Sequence, residues 1–164
     1  MWSSSVKTGS ELSIAGITAK QLAKDFGTPT FFIDEADFRA RALAWNDALK
    51  EAFGDKAGTV YYASKAFSCT EVARWIKDLG IGIDVSTGGE MAVALAGGID
   101  PKKIEVHGNN KSITEIEKAI SVGVETIVID SMYEIDRVAT AAAKAGKVQR
   151  VLLRLTPGIE AHTH

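Results

Sequence analysis

Five short apolar runs are each closed by a polar residue, and those residues recur at nearly constant steps: Lys65, Asp84, His107, Asp130 and Arg154 lie 19, 23, 23 and 24 positions apart. The runs are Thr59–Ser64, Ile81–Val85, Ile104–His107, Thr126–Asp130 and Arg150–Leu155. A step of this size accommodates one strand, one helix and two short loops. A helix between successive strands carries the chain back to the end where the previous strand began. The strands must then run parallel, which excludes a hairpin-built sheet.

The helix starts repeat as well. Ser68 and Glu71, Thr87 and Glu90, Ser112 and Glu115, and Ser131 and Glu134 each follow the pattern of a capping box, in phase with the strands. In such a box the hydroxyl accepts an unpaired first-turn amide and the glutamate reaches back to the cap residue. The segments that follow carry apolar residues at helical spacing: Val72, Trp75, Ile76 and Leu79; Ile113, Ile116 and Ile120; Ile135, Val138, Ala139 and Ala142. Gly80, Gly97 and Gly123 stand where a left-handed helix exit is expected. Met91, Met132 and Trp75 are candidate core residues.

Upstream the text changes. Thr18–Phe26 reads as a short helix closed by Gly27, Pro29–Asp34 as a strand, and Glu35–Phe53 as a long helix. The expected division is therefore an N-terminal segment, 1–34, and the first part of a strand–helix domain, 35–164. The formal net charge of −2 gives no basic surface for tracking nucleic acid, and no apolar run is long enough for a membrane span. A single cysteine, Cys69, supplies neither a disulfide nor a multi-thiolate metal site, which fits a reducing cytoplasm.

Two architectures repeat strand and helix: an open doubly wound sheet and a closed (β/α)8 TIM-type barrel. Open sheets bury both faces, so their strands read as apolar throughout. Here Ile81, Ile83 and Val85 alternate with Gly82 and Asp84, Ile104 and Val106 with Glu105 and His107, and Val151, Leu153 and Leu155 with Arg150, Leu152 and Arg154. One greasy face and one face with polar strand ends favour the α/β barrel, whose active-site mouth lies at those ends. A full barrel needs about 250 residues, so five strands make only its first part.

Lys65 shares a face with Tyr61 and Ala63 and should point inward at the rim. A partly dry lysine can act as an amine nucleophile towards an aldehyde, whereas a solvent-facing lysine at a strand end does nothing. Position alone leaves both open. Asp84 serves equally as a partner of Lys65 or as a structural acid, and His107 as a ring contact or as a loop-ordering residue. Glu90 reads first as a helix cap and Asp130 as a helix-start acid.

The words around these positions carry more. Tyr62-Ala63-Ser64-Lys65-Ala66 closely resembles the cofactor-lysine motif of the alanine-racemase-like, fold type III pyridoxal-phosphate enzymes. Gly82-Ile83-Asp84-Val85-Ser86-Thr87-Gly88-Gly89-Glu90 resembles that group's second signature. With His107-Gly108-Asn109-Asn110-Lys111-Ser112, the run from Leu153 to His164 and the strand-like Pro29–Glu35, the set is similar to the diaminopimelate decarboxylases from Ile17 onward.

That resemblance implies a pyridoxal 5'-phosphate cofactor joined to Lys65 as a Schiff base, with Asp84, His107 and Arg154 as further cofactor-binding residues and no metal. It implies decarboxylation of meso-diaminopimelate to L-lysine and CO2 by a cytoplasmic homodimer acting on a small amino acid. It also implies a second β domain to which the N-terminal segment belongs. The family's phosphate-binding glycines, pyridine-nitrogen acid and substrate-binding residues fall downstream of His164, so the 164 residues alone are expected to be inactive. Decarboxylases of ornithine, arginine or carboxynorspermidine are alternative relatives, and a non-catalytic binding or regulatory relative is another. Gly88-Gly89 is not expected to cradle the phosphate, and His162 and His164 fit the family motif better than a metal clamp.

Overall fold

The computed structural model describes residues 5–158, and the chain divides after Gly58 into two compact units. The first opens with β1 (Ser5–Thr8), β2 (Glu11–Ile14) and β3 (Ile17–Thr18), an antiparallel sheet in that order. Helix α1 (Ala19–Phe26) starts on the Thr18 hydroxyl, which accepts the Gln21 amide, and stops at Gly27. Helix α2 (Glu35–Phe53) starts on the Asp34 carboxylate, which accepts the amides of Ala36 and Asp37. Residues 29–34, expected as a strand, join no ladder among the described residues. Pro29 has no N–H to give a neighbour, and this stretch is held by side chains: Phe32 packs edge-on against Phe26 at 6.0 Å. Helix α2 buries no residue, so its stability within this unit rests on its cap and on ion pairs such as Glu35–Arg39 and Asp37–Arg41.

The second unit alternates strand and helix throughout: β4 (Tyr61–Ala63), α3 (Thr70–Leu79), β5 (Gly82–Val85), α4 (Gly88–Ala96), β6 (Ile104–Val106), α5 (Ile113–Val122), β7 (Thr126–Ile129), α6 (Met132–Lys144) and β8 (Val151–Leu153). The five strands form one parallel sheet in chain order, in register Ala63 to Asp84, Asp84 to Glu105, Glu105 to Thr126 and Val128 to Leu152. Ile83, Val85, Ile104, Val106 and Ile127 lie in one core with Val72, Ile76, Met91, Ile116, Ile120 and Val138. Each of those side chains contributes about 1.5–3 kcal/mol by leaving water. The opposite alternation, Asp84, Glu105 and Leu152, faces away from that core.

Local chemistry departs from expectation at several points. Of the four capping boxes only Ser112–Glu115 is complete. Thr87 accepts the Glu90 amide, while the Glu90 carboxylate passes its own cap and accepts the Ser86 amide at 2.6 Å. Ser131 makes no cap bond, and Glu134 accepts the Asp130 amide instead. Cys69 rather than Ser68 is the N-cap of α3, and Glu71 turns outward to Arg74 and Trp75. Gly97 is right-handed, and the left-handed exit falls on Gly98; Gly97 is small because a Cβ there would lie 2.3 Å from that of Ala73. Met91 is in the core, Trp75 is half-buried and Met132 is exposed. Of the α5 stripe, Ile116 and Ile120 are buried but Ile113 is not. Ile135, Ala139 and Ala142 line an apolar groove with Val151 and Leu153 of the exposed strand β8. No helix among the described residues is long and apolar enough to cross a membrane.

Candidate cofactor pocket

Parallel strands deliver their C-terminal ends to one edge, so residues just beyond them converge. Lys65 follows β4 within a single 3-10 turn, Ser64–Ala66; Asp84 lies near the end of β5, and His107 and Arg154 directly follow β6 and β8. All four line one cavity of about 510 Å³, together with Ser86, Glu105, Gly108, Asn109, Val128, Leu152 and Leu153. That volume lies within the range of small-molecule sites, roughly 300–1,000 Å³.

The pocket is electrostatically mixed. Burial pushes the Asp84 carboxyl above the usual carboxylate range; His107 and Lys65 nearby pull it back, and Glu90 adds to the rise. Lys65 is exposed to the pocket, and its amine makes no hydrogen bond or ion pair among the described residues. The His107 Nε2 stands 3.6 Å from Glu105 Oε1. Arg154 donates to Asp130 Oδ1 at 2.9 Å. Arg154 is thus paired with an acid that the sequence offered only as a helix-start residue.

Glu105 is the pocket residue that motif reading passed over. Its signal was present: it is the one carboxylate between Ile104 and Val106, on the face of Asp84 and His107. Gly88 and Gly89 are not a free anion cradle, because the Gly88 amide donates to Glu115 Oε1 at 2.7 Å. Amides of Ser112 and Gly88 hold the Glu115 carboxyl below its ordinary range. Cys69 is half-buried at the start of α3. Among the described residues no group of three His, Cys, Asp or Glu could hold a metal, and His162 and His164 lie outside them.

These donors suit an aldehyde cofactor with an ionisable ring. A lysine amine without a hydrogen bond or ion pair among the described residues could supply a point of attachment, and Asp84, His107 and Arg154 could supply charge and hydrogen bonds around it.

Comparison with known proteins gives the same answer. Residues 35–164 match the family model described as pyridoxal-dependent decarboxylase, pyridoxal binding domain. The chain belongs to the pyridoxal-dependent decarboxylases. It is 54% identical over 151 residues to the diaminopimelate decarboxylase of Mycobacterium tuberculosis, covering 92% of this chain and 33% of that protein. It is 42% identical to the diaminopimelate decarboxylase of Halalkalibacterium halodurans, covering 93% of this chain and 34% of that one. Among solved structures, the M. jannaschii diaminopimelate decarboxylase in complex with L-lysine superposes with a TM-score of 0.84 at 26% identity, over 97% of this chain and 37% of that chain. A Vibrio vulnificus lysine/ornithine decarboxylase, at 22% identity, TM-score 0.67 and 85% and 37% of the two chains, shares the fold. The chain thus spans about a third of the length of the relatives it matches.

Proposed function

We propose that this chain is the front part of the cofactor domain of a diaminopimelate decarboxylase, in which Lys65 carries pyridoxal 5'-phosphate and the complete protein converts meso-diaminopimelate to L-lysine and CO2. The observation that supports it is the convergence of Lys65, Asp84, His107 and Arg154 on one pocket, in a chain more than half identical to enzymes of that name. The bound cofactor supplies an electron sink for the carbon that loses its carboxylate. Lys65, whose amine makes no hydrogen bond or ion pair among the described residues, would hold it. Asp84, at hand across the Ala63–Asp84 register, holds a negative or neutral carboxyl near that amine. Glu105, beside the His107 imidazole, and Asp130, which holds the Arg154 guanidinium, would position those two side chains for the cofactor.

The rest of the protein completes this picture. Three further strand–helix units close the five-stranded sheet into an eight-stranded barrel and cover the apolar groove beside β8. Residues 1–34 join the second β domain, 35–164 begin the barrel, and a homodimer in the cytoplasm completes the site.

The test joins residues 1–158 to the remaining two thirds of the M. tuberculosis relative, loads the product with pyridoxal phosphate and reduces it with borohydride. The label is expected on Lys65, absent in Lys65→Ala, and lysine is expected to form from meso-diaminopimelate. A label on another residue, or faster turnover of ornithine or arginine, overturns the assignment.

A further inference from the structure

We propose that Lys111 and Glu134, which do not line the pocket, are positioning residues for it: their buried ion pair locks the turns after β6 and β7 together and so sets where His107 and Arg154 stand. The inference rests on the reading of that pocket as the cofactor site.

Lys111 and Glu134 are 2% and 3% exposed, the most deeply buried charges among the described residues. Lys111 Nζ lies 3.0 Å from Glu134 Oε2 and donates to the Gly108 carbonyl at 2.5 Å. The same Oε2 accepts the Asp130 amide at 2.9 Å, and Asp130 Oδ1 in turn holds Arg154. A path of three hydrogen bonds and one ion pair therefore runs from the backbone beside His107 to the guanidinium of Arg154. Gly108 passes too close to the neighbouring strand end for a side chain: its φ is +101°, and a Cβ there would lie 2.9 Å from the Ser86 carbonyl. Arg137 closes the arrangement from outside, donating to the Lys111 carbonyl at 3.4 Å while its guanidinium lies 4.4 Å above the Tyr133 ring.

Stability alone does not account for this pair. Apolar side chains of the same volume often serve a buried site as well as an ion pair does. The Lys111 ammonium and the Asp130 amide both approach Oε2, while the buried Oε1 has no hydrogen-bond partner among the described residues. The pair is built around the two turns it joins. What it adds is direction.

The test compares the full chain with the double variant Lys111→Met, Glu134→Leu, which refills the site with apolar volume, and with Lys111→Arg, which keeps the charge. Hydrogen exchange of the cofactor-free proteins is the first readout. In the double variant the amides of Gly108–Ser112 and Asp130 are expected to exchange about tenfold faster while those within α5 and α6 keep their protection, and Lys111→Arg is expected to restore most of the difference. Borohydride capture of pyridoxal phosphate on Lys65 is the second, expected to fall several-fold in the double variant and to recover with arginine. Exchange in the two turns unchanged within about twofold, or raised uniformly across 59–158, overturns the proposal. If the unaltered chain captures no pyridoxal phosphate, the cofactor reading is what falls, and the exchange comparison still decides whether the pair holds the turns.

Discussion

Lys65 and Lys111 each stand on a turn that leads from a strand into a helix, and the structure treats them in opposite ways. Lys65 is exposed to a pocket and its amine makes no hydrogen bond or ion pair among the described residues; across its turn the Tyr62 hydroxyl donates to the Phe67 carbonyl at 2.9 Å. Lys111 is buried, and its amine is committed to a carbonyl and a carboxylate while a complete capping box fixes the residue after it. A lysine that must exchange partners needs an amine no neighbour holds. One that fixes backbone needs its amine committed to fixed partners. The residue type is the same, and the surroundings choose the role.

The contrast can be broken by experiment, most forcefully at the lysines themselves. Lys111→Met alone strands Glu134 in the interior and should lower the unfolding free energy of the chain by about 3–5 kcal/mol. Lys65→Met should change it by no more than about 0.5 kcal/mol while abolishing covalent capture of pyridoxal phosphate. Urea unfolding followed by circular dichroism measures the first difference, and mass spectrometry after borohydride the second. Equal stability losses would erase the distinction between the two turns. A smaller effect, about 1–3 kcal/mol, is expected for Gly108→Ala, because the added Cβ meets the Ser86 carbonyl in a left-handed backbone.

Glu115→Gln sharpens the comparison through pH. The carboxyl is held below its ordinary value of 4.5 by the Ser112 and Gly88 amides. An acid with a depressed folded value stabilises the protein above its unfolded value, and that stability fades as pH falls through the folded one. The deficit of the variant, about 1 kcal/mol near neutrality, should therefore be constant down to about pH 5 and shrink below it. A deficit that grows on acidification contradicts the sign. Smallest of all, Ser112→Ala should cost about 1 kcal/mol and Ser131→Ala less than about 0.5 kcal/mol, since only the first hydroxyl caps its helix.

Periodic features were legible in the sequence because they are local. Helix α2 spans Glu35–Phe53, the long helix the sequence suggested, and the five strands fall within their expected runs. The pocket face was legible too, since Asp84, Glu105 and His107 alternate with isoleucine and valine. What could not be seen was the destination of each glutamate in the repeated Ser/Thr-x-x-Glu pattern. Glu115 reaches across to α4, Glu90 and Glu134 pass their caps, and Glu71 leaves the pattern altogether. Each choice depends on which donor a neighbouring unit brings near, and spacing along one helix carries no record of that. Residues 29–34 failed as a strand for a related reason: β-propensity makes a ladder only where a partner strand lies alongside.

By itself the sequence determined the alternation of strand and helix, the face each strand turns to the helices, and the motif that sets a lysine at the end of β4, all consequences of short-range geometry. Tertiary structure alone decided that Asp130 belongs to Arg154, that Glu105 stands beside His107, and that Lys111 is buried on Glu134. Two of those pairings join groups more than twenty residues apart, which only the stacking of successive parallel strands brings together, and of the three it is the buried Lys111–Glu134 pair that water screens least.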